Sequence, residues 1–386
     1  MSAPVLCYAT NVHPAEDLAG IARMIDGPAA AVREAVSPGG MLGLGLWLPA
    51  AAAETLASSP DAAAATRARL AARGLSVATV NAFPAGGFHG ARVKERAYLP
   101  PWGDPARLEY TRDAARAAAR LLAPGAVCAL STLPGTWKGW SDDPADRRTL
   151  ARGLAEAARF LAGLADGTGV RLVLAPEPEP GCTLETTEGT VDFWHRDLAA
   201  ALGREADRLL PHLGICVDLC HLAVAGEDPA ESIRTLRRAG IPVPKVQLSA
   251  ALEIVAPASD PAAVEALRRF DEPRWLHQAG ARDRFGVGHR AFDLPALFAD
   301  LPAWLRHPRW RVHFHAPIHR EEVAGVRTTR DLVAPAIRAA LEADGPPPVL
   351  EVETYAWSAV PGFSGAPGDL VAGIAGEIRF ARRCLG

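Results

Sequence analysis

The run APEPEPG carries Glu177 and Glu179 two residues apart, so both side chains leave one side of the chain if the extended backbone continues through the prolines. ICVDLCHL carries Asp218 and, one helical turn on, His221, and VLEVETYAW carries Glu351 and Glu353 on one face. Hard carboxylate oxygens with a neutral imidazole nitrogen are what a divalent cation takes as ligands. Isolated carboxylates entering an apolar interior would be costly to bury. Any one of these acids could be a rim residue or an arginine partner, but Glu177, Asp218, His221 and Glu353 on three strand ends together point to a metal.

Other polar residues interrupt apolar runs in the same way. RVHFHAPIH contributes His313 and His315 on one face, with His319 past the strand, and His315 is the first choice as a further ligand or acid/base group. In KVQLS, Lys245, Gln247 and Ser249 share one side of a strand and are expected to line a pocket. Three loops add Asn11 and His13, then Asn81, His89, Lys94 and Tyr98, then Trp137, Lys138 and Trp140. Aromatic, amide and cationic groups together suit the apolar face and hydroxyls of a sugar or cyclitol, with or without a phosphate. The alternative for these aromatics is plain loop packing. The GG of PAGGF lacks the strand-to-helix setting of a phosphate loop.

Chemistry of this kind needs elements that bring distant segments to one place. Short apolar runs alternate with longer Ala/Leu/Arg segments of helical period, as repeated βα units on a parallel sheet do. Candidate strands are 5–10, 42–48, 75–83, 126–132, 170–177, 215–220, 243–250, 311–317 and 348–354, nine where a (β/α)8 barrel needs eight. Segments from Asp104 and Asp143 read as helices with an acidic N-cap and a terminating glycine. With no linker or low-complexity stretch, residues 1–386 read as a single α/β TIM-barrel domain with long loop insertions. We take 243–250 as strand seven and place 311–317 with an insertion or lid around 251–310; the reverse assignment is the alternative.

In 386 residues, 49% apolar and 22% charged, neither a disordered nor a fibrous chain fits. A formal charge of -3 argues against nucleic acid as partner. Six cysteines without a CxxC pair suggest buried thiols rather than a disulfide scaffold or zinc knuckle. The start shows no signal-peptide pattern and no stretch suits a membrane helix, so a cytoplasmic protein without membrane insertion is expected. A homo-oligomer would be ordinary for such a barrel.

The strings CYATNVHPAED, NAFPAGGFHGARVKERAYLPPW, STLPGTWKGW, PEPEPGC, DLCHLAV, KVQLSAALE, VHFHAPIH and LEVETYAW, spread over nearly the whole chain, resemble the EboE-type metabolite-traffic proteins of the xylose-isomerase-like TIM barrel superfamily. The resemblance implies a role in making or moving a small secondary metabolite, alongside other proteins of the same pathway. It also implies Mn, Zn, Co or Mg held by acids after strands five, six and eight, which fall on Glu177, Asp218 and Glu353, with His221 as the histidine that follows the second acid. The third place falls on Gln247 or His315, according to which run is strand seven, and glutamine is the poorer ligand.

The expected function is a metal-dependent isomerase or epimerase, or a lyase sharing its enolate, acting on a small sugar, polyol or cyclitol. Glu177, Glu353 and His315 are the catalytic candidates. Asn11, His13, Asn81, His89, Lys94, Trp137, Lys138, Glu179, Lys245, His313 and Glu351 are the substrate-binding candidates. A phosphoester hydrolase of the endonuclease-IV-like kind shares the Asp218–His221 spacing but needs more histidines. A non-catalytic carrier would bind its metabolite without turnover.

Overall fold

The computed structural model describes residues 4–282, 288–342 and 346–385. Seven strands come first: β1 (Leu6–Ala9), β2 (Leu42–Trp47), β3 (Leu75–Ala82), β4 (Val127–Thr132), β5 (Arg171–Pro176), β6 (Cys216–Asp218) and β7 (Lys245–Leu248). Six more follow: β8 (Ala250–Val255), β9 (Ala279–Arg282), β10 (Gly288–Ala291), β11 (Arg309–Ala316), β12 (Glu322–Val323) and β13 (Val326–Thr328); β14 (Val349–Val352) is the last. Strands β1 to β7 and β14 are parallel, in the order β5-β4-β3-β2-β1-β14-β7-β6. The barrel is nearly closed: β5 meets the chain leading into β6 at one bridge, where the Gly214 amide donates to the Leu174 carbonyl at 3.0 Å.

Helices between the strands follow their caps. α1 (Pro105–Leu121) starts where the Asp104 carboxylate accepts from the Ala106 amide, with proline at its first position. α2 (Ala145–Thr168) runs through Gly167 and stops at Gly169, whose φ of 71° is the left-handed cap that glycine adopts without strain. No helix among the described residues is long and apolar enough to cross a membrane. All six cysteines are unpaired, five of them buried.

All nine expected strands form, and the surplus one is explained by a second sheet. β7 lies between β6 and β14 in the barrel. β11 instead belongs to an antiparallel sheet of order β10-β9-β11-β8-β13-β12. The expected loop insertion therefore contributes three strands, β8, β9 and β10, to that sheet, with short helices between them. Only Ser249 separates β7 from β8, so the chain leaves the barrel and enters the second sheet almost without a turn. That sheet has its own apolar cluster, including Trp304, Trp310, Phe270 and Phe314, joined to the barrel rim by Trp47 and Phe88. Residues 283–287 of the expected lid lie outside the described residues.

Inside the barrel a polar layer replaces part of the usual apolar filling. Lys245 Nζ lies 2.9 Å from Glu351 Oε1, and neither side chain has any exposure. Asn81 Nδ2 and the Thr79 hydroxyl also donate to Glu351, and Lys245 donates to Asn81 Oδ1 and Ser131 Oγ. Burial pulls the Lys245 ammonium down, but its neighbours Glu351, Cys216, Glu353 and Glu177 together outweigh it and hold the group above its ordinary range. Room for the glutamate comes from β2, because a Cβ on Gly45 would run into the Glu351 carboxylate.

Removing one charge of this pair leaves the other buried and unmatched. Lys245→Met and Glu351→Gln are each expected to lower urea stability by ~3–5 kcal/mol, and the double variant by clearly less than their sum. Strictly additive losses would show that the two charges do not compensate each other.

Candidate active site

Four side chains converge beyond the carboxyl ends of the strands, where barrels of this type do their chemistry. Asp218 ends β6 and caps the short helix α3 (Leu219–Val224), its Oδ1 accepting from the His221 amide at 2.9 Å and from Ser249 Oγ at 2.8 Å. Its Oδ2 is buried without a partner. Glu353, just past β14, accepts from Asn11 Nδ2 at 2.8 Å through Oε1, and its Oε2 is also buried and unpartnered. Carboxylate oxygens of Glu177, Asp218 and Glu353 lie within 4.8 Å of one another.

His315 completes the group from the second sheet. Its Nδ1 lies 3.0 Å from the Glu353 carbonyl oxygen, which accepts only if that nitrogen carries the proton. The Nε2 lone pair is then free, and that atom is buried, unpartnered and 4.0 Å from Asp218 Oδ2. A neutral imidazole fixed by a carbonyl on its far nitrogen is the usual arrangement of a metal-bound histidine. A shift of register in β11 and a φ of 50° at His315 aim the ring into the mouth.

Burial and the neighbouring Glu353 and Asp218 carboxylates push Glu177 well above the ordinary carboxylate range, and burial together with Asp218 does the same to Glu353. Burial lowers the histidines, His221 to about 4. Three acids that repel one another, a neutral imidazole and three orphaned donor atoms fit a divalent cation. Glu177, Asp218, His315 and Glu353 are the residues that could hold it.

His221 lies beside the same acids, its Nδ1 3.6 Å from Glu177 Oε1, and with Asp218 and His315 it forms a further group that could hold a metal. Its Nδ1 is 3.2 Å from the Pro178 carbonyl and its Nε2 faces His313 Nε2 at 3.2 Å. His313 Nδ1 donates to Gln278 Oε1 at 2.7 Å, because the Gln278 amide nitrogen is itself donating to Tyr98 and Glu179. Both facing nitrogens therefore carry lone pairs, and the Tyr355 hydroxyl lies 3.3 Å from the one on His313. Glu179 borders the histidine pair, with Oε2 unpartnered and burial lifting the acid to about 7.

The remaining expected residues fall in several places. Asn11, Lys94, Glu179 and His313 line one cavity together with Glu177, His315 and Glu353. Asn81, Lys245 and Glu351 lie in the enclosed layer below, with the Lys245 donors committed to Glu351, Asn81 and Ser131. Gln247 is buried on β7 against the Cys216 thiol, 3.2 Å away. His13 bonds Tyr8 and His89 bonds the Asn11 carbonyl, so both brace the first loop. Trp137 stacks on Tyr98 at 4.9 Å, and Lys138 pairs with Glu185. His319 stacks on Trp357 away from the cavity.

Sequence reasoning missed Tyr355, Trp275 and Gln278, which adjoin the cavity or its histidines, and Glu377. On α4 (Pro367–Leu385), Glu377 has no exposure and accepts from the Ile318 amide, Thr354 Oγ1 and Trp357 Nε1 at 3.1, 2.5 and 2.9 Å. It thereby ties down the segments that follow His315 and Glu353. An acid on the stripe of Ile374, Ile378 and Ala381 was the available signal.

Protein purified without chelators should carry about one equivalent of Mn, Zn, Co or Mg, and the Asp218→Ala, Glu353→Ala double variant none. Equal metal in both would exclude this site. Glu377 is raised by burial to about 7, so the stability it lends is complete below its unfolded value near 4.5 and is lost as pH rises through about 7. Urea unfolding should therefore show the wild-type advantage over Glu377→Gln shrinking between pH 5 and 8, by up to ~3 kcal/mol. A difference that stays flat with pH would contradict this.

The profile of the family described as xylose isomerase-like TIM barrel matches residues 43–301. No curated protein matches the chain significantly. Among solved structures, the chain is similar to a xylose isomerase-like TIM barrel protein from Mycobacterium smegmatis in complex with magnesium, with 12% identity, a TM-score of 0.49 and coverage of 99% of this chain and 98% of that one. It is similar to the IOLI protein with a bound zinc atom at 11% identity, TM-score 0.47 and coverage of 98% and 96%. A D-allulose 3-epimerase from Methylomonas sp. in complex with D-allulose aligns at 15% identity, TM-score 0.39 and coverage of 64% and 72%. With the profile spanning well over half of its length, the chain belongs to the xylose isomerase-like TIM barrel family.

Proposed function

We propose that the protein is a metal-dependent isomerase or epimerase of a small hydroxy-ketone of the sugar, polyol or cyclitol type. The observation that carries this reading is the convergence of Glu177, Asp218, His315 and Glu353, three of them with orphaned buried donor atoms, in and beside one cavity. A divalent ion held there would act as a Lewis acid on a carbonyl and its neighbouring hydroxyl, acidifying the adjacent C–H. Asp218 is anchored by Ser249 and the His221 amide, so it serves to hold rather than to exchange protons. Glu177, raised by burial and by Glu353 and Asp218, and Glu353, raised by burial and by Asp218, are suited to take and return the proton of the acidified carbon. His315 keeps its Nδ1 proton on the Glu353 carbonyl. The resemblance to EboE-type proteins adds, within this proposal, a substrate from secondary metabolism and a working association with other proteins of that pathway.

A second reading has one observation in its favour. His313 beside His221 and Glu179 supplies the additional histidine that a phosphoester-hydrolysing metal cluster needs.

The test is deuterium wash-in from D2O at the carbon beside the carbonyl, run by NMR over a panel of keto-sugars and cyclitol ketones. The wild type should exchange at least one of them, and Glu177→Gln and Glu353→Gln should slow exchange by ~10^2–10^4-fold. Binding without exchange, in both wild type and variants, would instead mark a carrier. Phosphate release from a nitrophenyl phosphate without exchange would mark a hydrolase.

A further inference from the structure

The cavity is lined by two kinds of surface. Besides its acids and histidines it has a carbon wall of Phe83, Pro84, Phe88, Trp275 and Leu276, with Phe88 and Trp275 packed on Tyr355, which in turn lies against His315. The polar handles near that wall are already committed. Trp275 Nε1 donates to the Phe88 carbonyl at 3.1 Å, and the Tyr98 hydroxyl donates to Glu179 Oε1 at 2.6 Å. The Tyr355 hydroxyl is 3.3 Å from His313 Nε2, the lone-pair nitrogen. Lys94, the one cation among the described lining residues, gives its Nζ to Asp293 Oδ2 at 2.8 Å and to the Glu272 carbonyl at 3.0 Å. The Phe88 ring is wedged against Tyr355 and Trp275 with centroids 5.1 and 5.5 Å away, so the wall keeps its shape.

A hydroxyl carried to this wall would lose water and find no partner, and a phosphate would share a small cavity with Glu177, Glu179 and Glu353. We propose that the substrate is amphipathic: a hydroxy-ketone or vicinal diol at the reacting end, and an uncharged carbon-rich aryl or alkyl group as the remainder. A phosphorylated sugar does not meet this description, and among sugars, polyols and cyclitols those carrying an apolar substituent meet it best. The reacting end rests on the metal-assisted reading above; the carbon-rich end rests on the wall alone.

Three probes share the same head: 2-hydroxyacetophenone, dihydroxyacetone and dihydroxyacetone phosphate. Calorimetric titration of the Mn2+-loaded protein should show the aryl ketone binding about tenfold or more tightly than dihydroxyacetone, and the phosphate no more tightly than dihydroxyacetone. Leu276→Asn, a half-buried position, should cut the aryl advantage severalfold while leaving Mn2+ binding intact. Trp275→Ala is the second variant, expected to do the same. If Mn2+ binds but the phosphate is the tightest probe, or the aryl ketone gains nothing, the carbon-rich end is wrong and the metal-assisted reading stands. If neither Mn2+ nor any probe binds, the metal-assisted reading fails and takes the reacting end with it.

Discussion

Five carboxylates, Glu177, Glu179, Asp218, Glu351 and Glu353, are buried in one barrel, and only one of them has a cation at hydrogen-bond distance among the described residues. Lys245 neutralises Glu351 in the lower layer and has no donor left for the acids above. Charges packed this closely away from water cannot all stay ionised without compensation. The remaining acids must bind protons, a cation or both. The rest of the site can be understood as the apparatus that keeps them together despite their repulsion.

Backbone architecture does most of that holding. Parallel strands deliver Glu177, Asp218 and Glu353 to one rim because each acid sits at or just past the end of its strand. The last turn of each connection then fixes the carboxylate: Asp218 as a helix cap, Glu353 through Asn11. Glycine on β2 makes room for the lower pair, and the second sheet supplies the imidazole that the barrel strands lack. Tyr355 and Trp275 close the mouth with carbon, which lowers the local dielectric and strengthens every electrostatic contact beneath them.

Much of this was legible in the sequence. The nine strands followed from apolar runs and their punctuation, and the acids at strand ends identified themselves by being polar where a core was expected. The second sheet was not legible, because β9 (AGAR) and β10 (GHRA) lack the apolar or β-branched runs that mark a strand. Which of Gln247 and His315 lies beside the acids was equally out of reach: the run carrying Gln247 does join the barrel, yet it is His315 that reaches Asp218, from the second sheet, a matter of tertiary packing. Alternation did put His313 and His315 on one face, yet the aim of His315 depends on a register shift and a positive φ that no periodicity reveals. Lys245 shows the converse: a lysine among pocket candidates proves to be wholly absorbed by the interior.

In the proposed arrangement a divalent cation bound by Glu177, Asp218, His315 and Glu353 would hold the upper acids together. Anomalous diffraction from Mn2+-soaked crystals tests it most directly. The account predicts a peak about 2.0–2.4 Å from Asp218 Oδ2, Glu353 Oε2 and His315 Nε2, with a Glu177 oxygen in the same shell. A peak confined to the Glu179, His221 and His313 group, or no peak in the mouth at all, would contradict it.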